Sequence, residues 1–280
     1  ATAQVTTRIV SGFPPGGGVD ILARVFAEEL AKGLGRPVVV ETKSGAGGQI
    51  AAELVKAAPA DGSTLMVMPD SNMTVYPHTT RKPAYDSLTD FVPVAHLGGY
   101  DLGFAIANTL PARDFAGFVA WARGRKEPVS YGSPASGSAA HFYGLMIARE
   151  AGIELNHIPY RGSAPAVNDV VAGHLATTVQ PIATMIQQAR AGKLRMVAIS
   201  GAKRSPTAPD VPTFRELGYG ALETGGWFGL FAPAATPRET VAKLNDIVVR
   251  AQRTTPIRER LASLDLNIEE FGPEPLAAKL

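Results

Sequence analysis

Strand-like and helix-like patterns alternate along nearly the whole chain, and that alternation leaves few folds open. Short apolar runs separated by amphipathic stretches need crossover connections, which build mainly parallel sheets covered by helices. Residues 8–13 read as a strand. After it, Leu22, Phe26, Leu30 and Leu34 recur every four residues, with Ile21 and Val25 widening the stripe into a helix face. Glu28 and Lys32 are spaced to pair across one turn, and Gly33 and Gly35, with Pro37 beyond, read as the stop. Residues 38–43, 48–58 and 64–68 continue as strand, helix and strand.

The middle of the chain repeats the pattern. Ser138 is placed as an N-cap, with Phe142, Leu145, Met146 and Arg149 at helical spacing and Gly152 as the end. Residues 156–160, 176–180 and 195–200 read as strands, and Ser163 as the cap of the helix between the first two. Ala172-Gly173-His174-Leu175 and Ala191-Gly192-Lys193-Leu194 are the same helix-to-strand stop, not an internal repeat. Near the end, Thr236-Pro237-Arg238-Glu239 spells a capping box with proline at the first helical position. Val241, Leu244, Val248 and Ala251 supply the apolar face behind it, and another helix starts within 275–280.

A chain of 280 residues is comfortable as two domains of about 100–150 residues each. No polar linker separates them. Two apolar runs, 101–107 and 227–232, instead flank the central segment. The expected fold is therefore α/β and two-lobed, each lobe a mainly parallel sheet flanked by helices. Residues 1–103 and 229–280 form a discontinuous first lobe, 104–228 an inserted second lobe, and two strands cross a hinge. Net charge is only +2, with 27 basic residues scattered among 25 acidic ones, so no basic stripe marks a nucleic-acid binder. No apolar run has the length of a membrane span. Cysteine is absent, which removes disulfides, thiolate metal sites and cysteine nucleophiles. The start Ala1-Thr2-Ala3-Gln4 suits an exported protein after signal removal, and a trimmed chain equally.

Chemistry concentrates at two glycine-rich turns between a strand and a helix start. The first is Phe13-Pro14-Pro15-Gly16-Gly17-Gly18-Val19-Asp20. The second runs from Tyr131-Gly132-Ser133 through Pro134-Ala135-Ser136-Gly137-Ser138 to His141. A helix N-terminus leaves backbone N–H groups without partners and carries the positive end of the helix dipole, and glycine lets a ligand approach closely. Two such turns suggest one anion gripped from two sides, which points to a binding protein before an enzyme. The first turn lacks the Lys-Ser/Thr ending of a P-loop, and its plain alternative is a tight turn with Asp20 as a cap. Gly45-Ala46-Gly47-Gly48 lacks dinucleotide spacing and reads as a structural turn. Ser133, Ser136 and Ser138 put hydroxyls beside free N–H groups, and no G-x-S-x-G elbow is present.

None of His78, His96, His141, His157 and His174 forms a ligand pair, so no metal site and no cofactor are expected. His141, in the first turn of its helix, is placed to reach a bound anion, and the others are assigned surface or packing roles. Arg161 stands between a strand end and a helix start, as a carboxylate ligand or as an ion pair with Asp169. Asn72 and Gln180 fall at carboxyl ends of strands, where open sheets place ligands.

Read together, these pieces resemble the substrate-binding proteins of tripartite tricarboxylate transporters, the Bug-type periplasmic receptors. The resemblance is carried by residues 13–20 with Ala23-Arg24, by Gly45-Ala46-Gly47-Gly48, and by Tyr131-Gly132-Ser133 with Gly137-Ser138 and His141. It continues through His157-Ile158-Pro159-Tyr160-Arg161-Gly162, Ala191-Gly192-Lys193-Leu194-Arg195 and Trp227-Phe228-Gly229-Leu230-Phe231-Ala232-Pro233. It implies a Venus-flytrap fold with a small organic acid closed between the lobes, held by the turns at 13–20 and 132–138 as pincers. It also implies a periplasmic, monomeric receptor without catalysis that delivers its cargo to membrane transporter subunits. Where many relatives carry an acid after the strand preceding Pro181, this chain has Gln180. That tilts the expected ligand from amino acids toward mono- or dicarboxylates, aromatic ones included. The rivals are a metabolite-processing enzyme on a similar fold, for which Asp20 and His141 are the only candidate acid–base groups, and a sensor feeding a membrane kinase.

Overall fold

The computed structural model describes residues 6–79, 81–268 and 273–280; the start Ala1-Thr2-Ala3-Gln4 lies outside them. Two compact units emerge. The first holds 1–99, 227–262 and 267–280, and the second holds 100–226 with the short piece 263–266.

The first unit begins with β1 (Thr7–Ser11), α1 (Gly18–Leu34), β2 (Val38–Thr42), α2 (Gln49–Lys56), β3 (Thr64–Pro69), α3 (Tyr76–Thr79) and β4 (Phe91–Tyr100). The second contributes β5 (Leu102–Ala107), α4 (Phe115–Arg123), β6 (Val129–Ser133), α5 (Ala139–Ala151), β7 (Leu155–Pro159), α6 (Ser163–Ala172), β8 (Thr177–Pro181), α7 (Ile186–Arg190) and β9 (Leu194–Ile199). The chain then returns through β10 (Gly226–Pro233), α8 (Arg238–Arg253), α9 (Thr255–Ser263), β11 (Leu266–Asn267) and α10 (Pro273–Ala277).

One sheet has the order β11-β4-β10-β3-β1-β2 and the other β7-β6-β8-β5-β9. In the first, β1 runs parallel to β2 and β3, and β10 is antiparallel to β3. In the second, β6 is parallel to β7 and β8, and β5 runs against both β8 and β9. The expected α/β sheets are present: in the first, β10 is reversed against the parallel set β1, β2 and β3, and in the second, β5 is reversed against the other four strands. The apolar stripe of α1 is the core face: Leu22, Phe26 and Leu30 are fully buried. Phe104, Phe115, Phe118 and Phe214 form the aromatic heart of the second unit through edge-to-face contacts at 5.0–5.6 Å.

Local expectations fail at four places. Gly33 does not stop α1, which runs to Leu34 and ends on Gly35 in the left-handed region (φ 65°). Lys32 pairs with Glu29 at 2.6 Å, not with Glu28, which faces Arg260 of α9 at 3.3 Å. Thr236 makes no capping box: its hydroxyl donates to the Pro233 carbonyl (2.7 Å), and α8 starts without a side-chain cap. Ser163 is the first residue of α6 and not its cap, a place taken by Gly162 at φ 108°.

Candidate functional site

The glycine turn that follows β1 in the first unit and the one that follows β6 in the second are built differently. In the first unit β1 ends at Ser11, whose hydroxyl donates to the Phe13 carbonyl (3.1 Å). Gly17 is the N-cap of α1 in extended geometry (φ −85°, ψ 167°), and no side chain caps this helix. Ile21 is the first residue to donate back, to Gly17 O at 3.0 Å, so the N–H groups of Gly18, Val19 and Asp20 lack intrahelical acceptors. Asp20 turns its buried carboxylate back on the turn, accepting from the Gly16 N–H (3.1 Å) and from Arg24 Nε (3.0 Å). Its geometry is therefore that of a brace for the loop.

Behind the turn lies the second glycine motif. A Cβ on Gly12 would stand 2.9 Å from Gly48 Cα, and one on Gly48 would stand 2.9 Å from Asn72 Nδ2 and 3.2 Å from the Phe13 ring. Gly48 has φ 97°, open to glycine at low cost. Asn72 sits in a π-helical turn, Ser71–Val75, and donates to Gly47 O at 2.7 Å, while its own carbonyl accepts from the buried Tyr85 hydroxyl (2.7 Å). Phe13, Asn72 and 45–48 thus form one packed support under the first turn. Pro14 is half-buried and Gly16 exposed at the rim.

The turn of the second unit follows β6. Ser138 caps α5 by accepting from His141 N (3.2 Å), and the His141 ring reaches back so that Nδ1 accepts from Gly137 N (3.1 Å). This pair is a variant of the capping box, with histidine in the usual Glu/Gln place and the N–H of the residue before the cap as its donor, the Ser cap alone contributing about 1 kcal/mol. Because Nδ1 accepts, the neutral ring carries its proton on Nε2. Burial lowers the basicity of His141. Ser133 is fully buried, donates to Ala135 O (3.0 Å) and lies 2.6 Å from His157 Nε2. Of the three turn hydroxyls only exposed Ser136 has no role in holding the turn itself. The N–H groups of Ala139 and Ala140 open α5 without intrahelical acceptors.

The segment after β7 is tied alongside: Tyr160 N donates to Ser133 O (3.0 Å) and Gly162 N to Pro134 O (2.8 Å). Arg161, between them, is exposed and next to the turn. The ion pair with Asp169 is not made. Asp169 instead accepts from the Tyr160 hydroxyl (2.6 Å) and approaches His174. Gln180 is fully buried on β8, its amide donating to Thr178 Oγ1 (2.9 Å), which in turn donates to Gly132 O (2.9 Å). It stands behind the turn, with its Oε1 unpaired.

Sequence reasoning missed His157. It stacks on His141 with ring centroids 3.8 Å apart and 21° between planes, and its pKa is pushed down to about 4 by burial and by His141. The available signal was the alternation of β7, which puts residue 157 opposite Tyr131 and on the Ser133 face. Among the described residues no group of three or more His, Asp or Glu could hold a metal, and no helix is long and apolar enough to cross a membrane.

Residues 22–273 match the tripartite tricarboxylate transporter family receptor. Protein BugT of Bordetella pertussis is 33% identical over 257 residues, 91% of this chain and 79% of that protein. Among solved structures, Rpa4515 of R. palustris with adipate superposes with a TM-score of 0.95 at 29% identity, covering 99% of this chain and 93% of that one. MatC of Rhodopseudomonas palustris with bound malate gives 0.89 at 32% identity, covering 98% and 94%. Two α/β units, each with a glycine turn opening a helix, and a family match over nine-tenths of the sequence lead to one assignment: the chain belongs to the tripartite tricarboxylate transporter receptor family and is a solute receptor with a periplasmic-binding-protein fold.

Proposed function

We propose that this receptor captures a small mono- or dicarboxylate, aromatic acids included, on its glycine turns and hands it to cognate membrane transporter subunits. The carrying observation is that each unit ends one strand in a glycine turn whose helix N-terminus has unpaired N–H groups. A carboxylate leaving water needs such donors, because an unpaired buried charge is very costly, and each bond to the charged group contributes about 1.5–3 kcal/mol. That one relative holds adipate and another malate supports this ligand class. The ligand-binding set in this reading is Phe13, Pro14, Gly16, Gly17 and Gly18 in one unit and Ala135, Ser136, Gly137, Ser138, His141 and Arg161 in the other, with Asp20, Asn72, Ser133 and Gln180 holding the turns from behind.

In this reading the strands at 101–107 and 227–232 serve as hinge, ligand binding selects the closed arrangement, and the protein works as an exported periplasmic monomer that does not transform its cargo. A thermal-shift panel of mono-, di- and tricarboxylates, amino acids and aromatic acids tests it. A ligand at roughly 100 times its Kd adds about 2.7 kcal/mol, a rise of about 5–10 °C. One acid class should shift the protein and be recovered unchanged by mass spectrometry. No shift by any acid, after refolding to strip retained ligand, overturns the carboxylate reading.

A further inference from the structure

His157 lies twenty residues downstream of the second turn, yet it is linked to both ends of it. At one end its Nε2 meets Ser133 Oγ at 2.6 Å, and that hydroxyl donates a hydrogen bond to Ala135 O at 3.0 Å. A hydroxyl has one proton, so the imidazole N–H donates into Ser133 and Nδ1 is left bare. At the other end the ring covers the face of His141, whose Nδ1 holds the N–H of Gly137, the turn residue at φ 77°. Ala135 O also receives Ser138 Oγ at 2.8 Å, closing the loop of bonds. The titratable groups facing the His157 ring are Tyr131 of β6 (5.2 Å between centroids) and His141 of α5. The Tyr131 hydroxyl donates to His141 O at 2.6 Å, and burial raises its pKa, so both neighbours are neutral.

We propose that His157 is the positioning residue of the second anion-receiving turn: wedged between Ser133 and the His141 ring, it holds residues 134–138 in the shape that presents the helix N–H groups. The consequence for affinity rests on the carboxylate reading above, whereas the wedge itself is tested without ligand. 15N-histidine spectra of the wild-type protein should show both rings as neutral Nε2–H tautomers at pH 7, and the Gly137 amide should exchange slowly. His157→Ala removes wedge and donor. It speeds Gly137 exchange at least tenfold and mixes the His141 tautomers, while the Gly16 amide, held by Asp20 in the other unit, keeps its rate. His157→Gln sets an amide N–H where Nε2 stood and restores at least part of the protection, which simple loss of packing does not explain. Unchanged Gly137 exchange and His141 tautomer in both variants overturns the proposal. If His157→Ala does not fold, the same two readouts are taken on His157→Gln and His157→Phe, where only the variant lacking the donor should lose protection.

Calorimetry with malate and with adipate separates the two readings. Binding of either acid by wild type upholds the carboxylate reading, and His157→Ala then weakens it at least tenfold with partial recovery in His157→Gln. Failure of both acids to bind wild type counts against that reading for those two acids and leaves exchange and tautomer to decide the wedge.

Discussion

Gly17 and Gly18 are neighbours with opposite reasons for lacking a side chain. A Cβ on Gly18 would stand 2.8 Å from the ring of buried Phe228, so Gly18→Ala overpacks the first unit. It should cost about 1–3 kcal/mol and lower the melting temperature by about 2–8 °C with or without ligand. A Cβ on Gly17 meets nothing nearer than Pro14 O at 3.8 Å, and its extended backbone accepts a β-branched residue. Gly17→Val should therefore leave the ligand-free melting temperature within about 3 °C, at a capping cost on the order of 1 kcal/mol. On the proposed carboxylate reading it should weaken the acid found in the thermal-shift panel at least tenfold, since its methyl groups would fill the open space over the turn. Retained affinity in calorimetry would remove the first turn from the site. The turn was legible because glycine before a helix has a direct steric meaning. The brace of Asp20 on Gly16 and the wedge of His157 were not, since they depend on where side chains four and twenty-four residues away come to rest.

At the level of elements, Gly33 shows why a helix boundary is harder to read than a helix face. Glycine near the end of a pattern signals a stop, and here it does not stop the helix. It lets α8 approach α1, for a Cβ on Gly33 would lie 2.7–2.8 Å from three side-chain atoms of Ile247. Ile247 is β-branched and has little rotamer freedom with which to yield. Gly33→Ala alone should destabilise by about 1–3 kcal/mol. In an Ile247→Ala background the same change replaces a glycine in the last turn of the helix without a clash and should stabilise by up to about 1 kcal/mol. Urea midpoints of the four proteins in this cycle give the coupling, and additivity within about 0.5 kcal/mol would show that the two helices do not meet there. The apolar stripe of α1 needs no such partner information, and for that reason Leu22, Phe26 and Leu30 were visible from spacing alone. The Thr236 box failed for a related reason: a hydroxyl beside a strand end found the nearer Pro233 carbonyl.

For the molecule as a whole, alternation announced parallel α/β sheets, but not the reversed strands β5 and β10, whose partners lie far along the chain: Leu102 opposite Pro181, and Phe231 opposite Met66. The passage from one unit to the next falls at 99–100, 226–227, 262–263 and 266–267, and Asp101 and Asp265 stand within two residues of these points. The Asp101 carboxylate fills the space over Gly201, lies against Gly225, and meets no hydrogen-bond donor among the described residues. Asp265 accepts from Ser205 and Thr207. Burial first, and then Asp265, raise the Asp101 pKa to about 6. In the unfolded chain the value is about 3.9, so between these limits the folded state binds more protons than the unfolded one. Stability contributed by this group is thus fully present below about pH 4 and is lost as pH rises through about 6. After discounting for partial exposure, the loss is on the order of 1–2 kcal/mol, or a few degrees in melting temperature. Asp101→Asn removes the charge in place. It should melt a few degrees above wild type at pH 7.5 and together with it near pH 4. Trp121 in α4 reports the second unit and Trp227 the first, so a Trp227→Phe background lets fluorescence follow the unit that contains both acids. A gap between wild type and Asp101→Asn that is the same at both pH values would mean that Asp101 is not held protonated by its surroundings.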